Sequence, residues 1–230
     1  MTPSSNPLIL LVDIFRSPAD CFAALYERGK WAWLPYILLI FAPFMFWGTY
    51  FDLVNFEWVT TNLTAQIESI DGQLQPEWLT KEILLAGEVI NDVMGRTATI
   101  LLLALWFKLA TKQSQYQHSY FKWVAGSTIV MFPALIGDIA SYASLLLNHA
   151  NIMPYAADLN SLNGLMKLPM TDHWSAYASS FPLLMPWYIA LSYAALGAWT
   201  DLERSKALII AILPWVSCFT LWGFITAFSG

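Results

Sequence analysis

The chain has 230 residues, of which 57% are apolar, 16% aromatic and 12% charged, with a net charge of −5 at pH 7. A soluble globular domain carries about 25% charged residues, so a water-soluble fold is excluded and most of the chain must face lipid. The negative charge and the lack of a basic patch interleaved with aromatics argue against nucleic acid as a partner.

The first thirty residues read as a cytosolic interfacial element ahead of a membrane domain over residues 31–230. MTPSSNPLILLVDIF has no basic n-region and no small-residue cleavage site after it, so it is expected not to be a signal peptide. SPADCFAALYERGKW reads as a helix, with Ser17 as N-cap, Pro18 at the first helical position and Asp20 in the first turn. Phe22, Leu25 and Tyr26 share one face of it, and with PLILLVDIF it is expected to lie on the cytosolic surface. The two cysteines, Cys21 and Cys218, form no CxxC and read as apolar filler.

Residues 31–51 form the first expected span, and 52–75 an outer connection. From Pro76 the sequence PEWLTKEILLAG restarts a helix that continues into a second span at 91–111. Further spans are expected at 121–147, 177–199 and 207–228, separated by the Asn-rich outer loop 148–173 and a short basic turn. Each is long enough for about 30 Å of hydrocarbon. The fold class is therefore all-α, a bundle of five membrane helices. Pro35, Pro43, Pro133, Pro182, Pro186 and Pro214 fall inside spans. They are tolerable where neighbouring helices satisfy the freed carbonyls. The tryptophans at span ends, among them Trp47, Trp199 and Trp215, are expected to form interface belts.

Orientation follows from Lys and Arg. Arg16, Arg28, Lys30, Lys108, Lys112, Lys122, Arg204 and Lys206 lie on one side, and Lys81 and Lys167 on the other. This puts the N-terminus in the cytosol and the C-terminus outside.

Glu88, Asp92 and Arg96 recur every fourth residue in EVINDVMGR and so lie along one side of a helix. Eleven residues separate Arg96 from Lys108, about 16 Å of helix, too little to cross the hydrocarbon. Arg96 and Asp92 are therefore drawn into the bilayer. Asp138, charged and deep in the third span, lies about 24 Å above Lys122, a depth similar to that of Arg96. Gly137 beside it permits close approach, and Ser141 and Ser144 extend a polar face. Glu88, Asp92, Arg96 and Asp138 are thus the candidate binding cluster. Two readings stay open: an ion-pair clamp between spans two and three, or a substrate, headgroup or proton site.

Other chemistry is sparse. His149 and His173, with Asp158 and Asp172, share an outer loop, but their spacing matches no ligand pattern and no metal is expected. There is no HExxH, GxSxG or Gly-rich phosphate loop, so neither enzymatic activity nor a cofactor is expected.

Three stretches together give the chain a family likeness: SPADCFAALYERGKWAWLPYIL, VMGRTATILLLALWFKLA and DLERSKALIIAILPW. It resembles the YIP (Ypt-interacting protein) family of five-span membrane proteins, in its compact bacterial form, over roughly residues 8–228. The resemblance implies a non-enzymatic membrane protein. Eukaryotic members reside in the Golgi and endoplasmic reticulum, bind prenylated small GTPases and take part in vesicle traffic. This sequence has neither their long cytosolic N-terminal region nor their Asp-Leu-Tyr-Gly-Pro motif, so GTPase binding is not carried over. The expected role is a scaffold acting on membrane lipids, on protein partners or in a homo-oligomer. The alternative is a small transporter or lipid-translocating protein that uses the charged seam.

Overall fold

The computed structural model describes residues 4–71, 79–147 and 151–229, and these residues are helical and turn structure without strands. The helices are α1 (Pro7–Arg16), α2 (Pro18–Glu27), α3 (Trp33–Leu53), α4 (Phe56–Asp71), α5 (Lys81–Ala110), α6 (Tyr120–Met131) and α7 (Ala134–Leu147). They continue with α8 (Pro154–Ala157), α9 (Leu162–Met166), α10 (Ser175–Ser180), α11 (Met185–Trp199) and α12 (Arg204–Ser229). Four stretches among the described residues are long and apolar enough to cross a membrane: Gly29–Leu53, Lys81–Ala110, Tyr120–Leu147 and Arg204–Ser229.

The expected span at 177–199 is divided. Phe181 is extended, as a residue before proline prefers to be, and Ser161 and Pro182 form a β-bridge. Helix α11 proper has 15 residues, about 22 Å. Within 121–147 only a turn at Phe132 and Pro133 interrupts the helix, and Phe132 keeps helical backbone angles. The outer connection holds α4, a helix of 16 residues, where the sequence suggested only a link. Helix α5 does run unbroken from Lys81, with the Thr80 hydroxyl accepting the Ile83 N–H at 3.3 Å. Pro76 lies outside the described residues.

The chain forms two compact units. The first comprises Met1–Ile40, Gly95–Pro133 and Met185–Cys218; the second comprises Phe41–Met94, Ala134–Leu184 and Phe219–Gly230. Their charges are opposite. The first holds nine Lys/Arg against five Asp/Glu, and the second two against eleven.

In the first unit, α2 packs on α6 and α11. Cys21, Phe22, Ala24 and Leu25 are buried, whereas Tyr26 is exposed and carries the Lys122 ammonium 3.2 Å from its ring centroid. Helix α2 is therefore part of the packed bundle. Burial, and then the Asp13 carboxylate, push the Cys21 thiol up to about 12, which keeps it protonated and inert. Helix α1 starts at Asn6, whose side chain accepts the Ile9 N–H at 2.9 Å, and leaves Leu8 and Val12 exposed. Trp199 centres the unit. Its indole N–H donates to the Phe22 carbonyl at 2.8 Å, and its ring packs on Phe22, Trp123 and His118. A Cβ on Gly126 would lie 2.9 Å from that ring, so only glycine leaves it room. Trp47, Trp199 and Trp215 are all buried in protein and do not form an interface belt. In the turn before α12, the Ser114 hydroxyl and the Gln115 N–H donate to Asp201 at 2.6 and 3.1 Å, holding its carboxyl below the usual range.

Two prolines inside helices show how the bundle tolerates them. Pro43 in α3 and Pro214 in α12 have no N–H to give the carbonyl four residues earlier, Leu39 and Ile210. The Arg96 guanidinium donates to Leu39 O at 3.0 Å, and the Trp106 indole donates to Ile210 O at 2.9 Å. Both donors come from α5.

The second unit is built around Trp47, Tyr50 and Phe51 of α3, Val59 and Leu63 of α4, Val89 of α5, Leu145 of α7, and Met153 and Ala157. Tyr50 OH donates to Ile152 O at 2.6 Å, fixing α3 to the segment that leads into α8.

Candidate binding cavity

Glu88 and Asp92 are one helical turn apart on α5 and face the same cavity, which has a volume of about 660 Å³ and lies wholly within the second unit. Trp47 closes one side, and its indole N–H donates to Asp92 Oδ2 at 2.8 Å. Residues 151–184 supply the opposite wall, including Tyr155, Asp158, Asp172 and His173.

That wall is held by polar side chains bonding to the backbone. Asn163, fully buried, receives the Leu168 N–H at 2.8 Å and donates to Leu168 O and to the Ser179 hydroxyl. Ser161 caps α9 by accepting the Gly164 N–H at 3.2 Å. A Cβ on Gly164 would collide with the Asp158 carbonyl. The Gln66 side chain of α4 reaches both Tyr155 OH and the Met170 N–H, at 3.5 and 2.9 Å, tying α4 to this wall. The Asp158 carboxylate accepts the Asn160 N–H, and that of Asp172 the Trp174 N–H.

Four carboxylates and one histidine thus surround the space. Such a lining has the chemistry to take a cation or a protonated amine. No three His, Cys, Asp or Glu side chains are close enough to hold a metal ion among the described residues, and His149 lies outside them. His173 Nδ1 is 3.9 Å from Asp172 Oδ1.

Of the four candidate residues, Glu88 and Asp92 line this cavity and Arg96 and Asp138 do not. Asp138 belongs to the same unit but not to the lining; it is buried and accepts from Asn160 Nδ2 at 2.7 Å. Arg96 belongs to the first unit and there bonds to Leu39 O. Gly137 permits a close approach, and what approaches is the Asn160 carboxamide, with which a Cβ there would collide. Ser141 joins in, donating to Gly137 O and accepting the Leu159 N–H. Asp158, Asp172 and His173 were visible in the sequence only as loop residues; the Ser161 cap and Gly164 were the signals that this loop is folded.

Comparison with known proteins gives one positive result: the family model described as the Yip1 domain matches residues 12–225. Neither the curated proteins nor the solved structures contain a match.

Proposed function

We propose a role from the premise that this chain belongs to the Yip1 domain family. It is an integral membrane protein with several long apolar helices, in contact with lipid. Our reading is a five-span scaffold of the bacterial inner membrane that organises lipids or partner proteins without enzymatic chemistry. Helix α11 is the fifth span in this reading, and the first thirty residues are its cytosolic portion. The observation that carries the role is α12. Of its most apolar stretch only 11% is buried, and Leu213, Val216, Leu221 and Ile225 are exposed. A span left this open has its faces free for lateral association. Photo-crosslinking residues at Leu213 and Leu221, in host membranes, should give lipid adducts or one discrete protein adduct. Adducts only with other parts of this chain would sink the lateral role.

A second reading, transport of a cation or protonated amine, is favoured by the acidic cavity. The excess of Lys and Arg in residues 1–30, 108–122 and 204–206 supports a cytosolic N-terminus and a cytosolic turn at Ser205, since Lys and Arg stay on the cytosolic side. One labelling experiment addresses both points, with single cysteines in a background lacking Cys21 and Cys218. A cysteine at Thr61 or at Asn91 in the cavity lining should react with an impermeant maleimide on intact cells, and one at Ser205 should not. Reaction at Ser205 alone would reverse the topology. A silent Asn91 site beside a labelled Thr61 would seal the cavity from water and remove the transport reading.

A further inference from the structure

A second cavity, of about 350 Å³, lies entirely within the first unit and has a different character. Its walls are the turn into α3, the middle of α5 and the start of α6, with Gly29 and Phe121 at one end and Tyr36, Thr97 and Thr128 at the other. By helical rise those ends are about 10 Å apart. The deep end is chemically closed. Tyr36 OH and Thr97 Oγ1 are 3.4 Å apart and engage each other, and Thr128 Oγ1 donates to its own helix at Val124 O. The remaining lining is apolar or small, including Ala32 and Ala125. A guest in this groove therefore meets hydrocarbon and methyl groups and needs no polar partner of its own.

The shallow end is open, and the residues that line it are flanked in sequence by basic ones. Trp33 and Phe121 on its rim are 64% and 81% exposed, so the groove opens sideways to lipid. A Cβ on Gly29 would meet nothing within 4 Å, so the space there is empty. Gly29 sits between Arg28 and Lys30, and Phe121 precedes Lys122. Arg28 stacks on Trp31 at 4.8 Å and Lys122 on Tyr26 at 3.2 Å, while Lys30 is exposed and in no ion pair among the described residues. The acid nearest this rim in sequence is Glu27.

We propose that this groove holds one acyl chain of an anionic phospholipid, with the lipid phosphate at the rim formed by Arg28 and Lys30. Hydrocarbon alone gives no preference, because bilayer tails are as apolar as the groove wall. Selection must come from the rim, where each cation favours an anionic headgroup by about fivefold. The inference rests on the reading that the chain organises lipids, and it names the class of lipid.

The test is native mass spectrometry of the full chain in mild detergent, after incubation with equal amounts of phosphatidylglycerol and phosphatidylcholine. The parent should retain one phosphatidylglycerol in preference. Lys30→Gln, an exposed change that leaves packing intact, should cut that retention about fivefold and leave phosphatidylcholine unchanged. Gly29→Leu, which fills the empty space, should abolish the adduct. Equal retention of the two lipids by the parent, or undiminished phosphatidylglycerol on both variants, would overturn the proposal. The α12 adducts are read at residues outside this groove, so each result stands without the other.

Discussion

Replacing Trp199 by alanine should destabilise the protein by about 3–5 kcal/mol, the range for emptying a large buried aromatic site. The residue is 1% exposed, and its ring touches α2 and α6 from the end of α11. Three aromatic partners, Phe22, Trp123 and His118, would lose their common neighbour. The Phe22 carbonyl would lose its donor as well. Trp199→Phe separates the two effects. It keeps an aromatic ring but removes the N–H together with part of the indole, so it should cost at least about 1–3 kcal/mol, the penalty for a buried polar group left unbonded. SDS titration of the purified protein followed by far-ultraviolet circular dichroism measures both. If alanine costs no more than phenylalanine, α2 is not held to the bundle through this ring, and its burial has another cause.

The same residue shows where sequence reading stops. Hydropathy detects the long spans because an apolar run of about 20 residues has few alternatives to a bilayer. It cannot tell a tryptophan facing headgroups from one facing another helix. Trp47, Trp199 and Trp215 were therefore assigned to belts and are found in cores. Averaging over 177–199 likewise hid the extended break at Phe181, although Pro182 and Pro186 were plain in the sequence. Helix α4 had a readable signal, since Val59, Leu63 and Ile67 recur every fourth residue.

The candidate site divides in the same way. Glu88 and Asp92 were legible because spacing of four on a helix puts side chains on one face whatever the tertiary fold. Asp158, Asp172 and His173 reach the cavity through the folding of residues 151–184, held by Asn163, Ser161 and Gly164. Nothing periodic in that stretch announces the arrangement. The depth argument selected Arg96, and the bond it makes to the Leu39 carbonyl is a contact that argument did not name. The carbonyl left open by Pro43 was also in the sequence, four residues back at Leu39; what could not be read was which neighbouring helix would supply the donor.

Arg96→Met should therefore cost about 1.5–3 kcal/mol, the range for a hydrogen bond from a charged donor, and the cost should depend on Pro43. In the parent the Leu39 carbonyl has no backbone N–H to accept, because residue 43 is proline, and the guanidinium fills that position at 3.0 Å. Pro43→Ala restores a main-chain donor within α3. The Leu39 carbonyl is then satisfied by its own helix, and the share of the Arg96 effect due to this bond should disappear. A double-mutant cycle in SDS unfolding measures that share, with a coupling of about 1 kcal/mol or more expected for groups in one network. Trp106→Phe with Pro214→Ala is the neutral counterpart, since the Trp106 indole serves Ile210 O in the same manner. Its coupling should be smaller, because the donor carries no charge. If Arg96→Met costs the same with proline or alanine at position 43, the bond to Leu39 contributes nothing to stability. The guanidinium would then be held in the membrane for its charge, and the transport reading would gain at the expense of the scaffold.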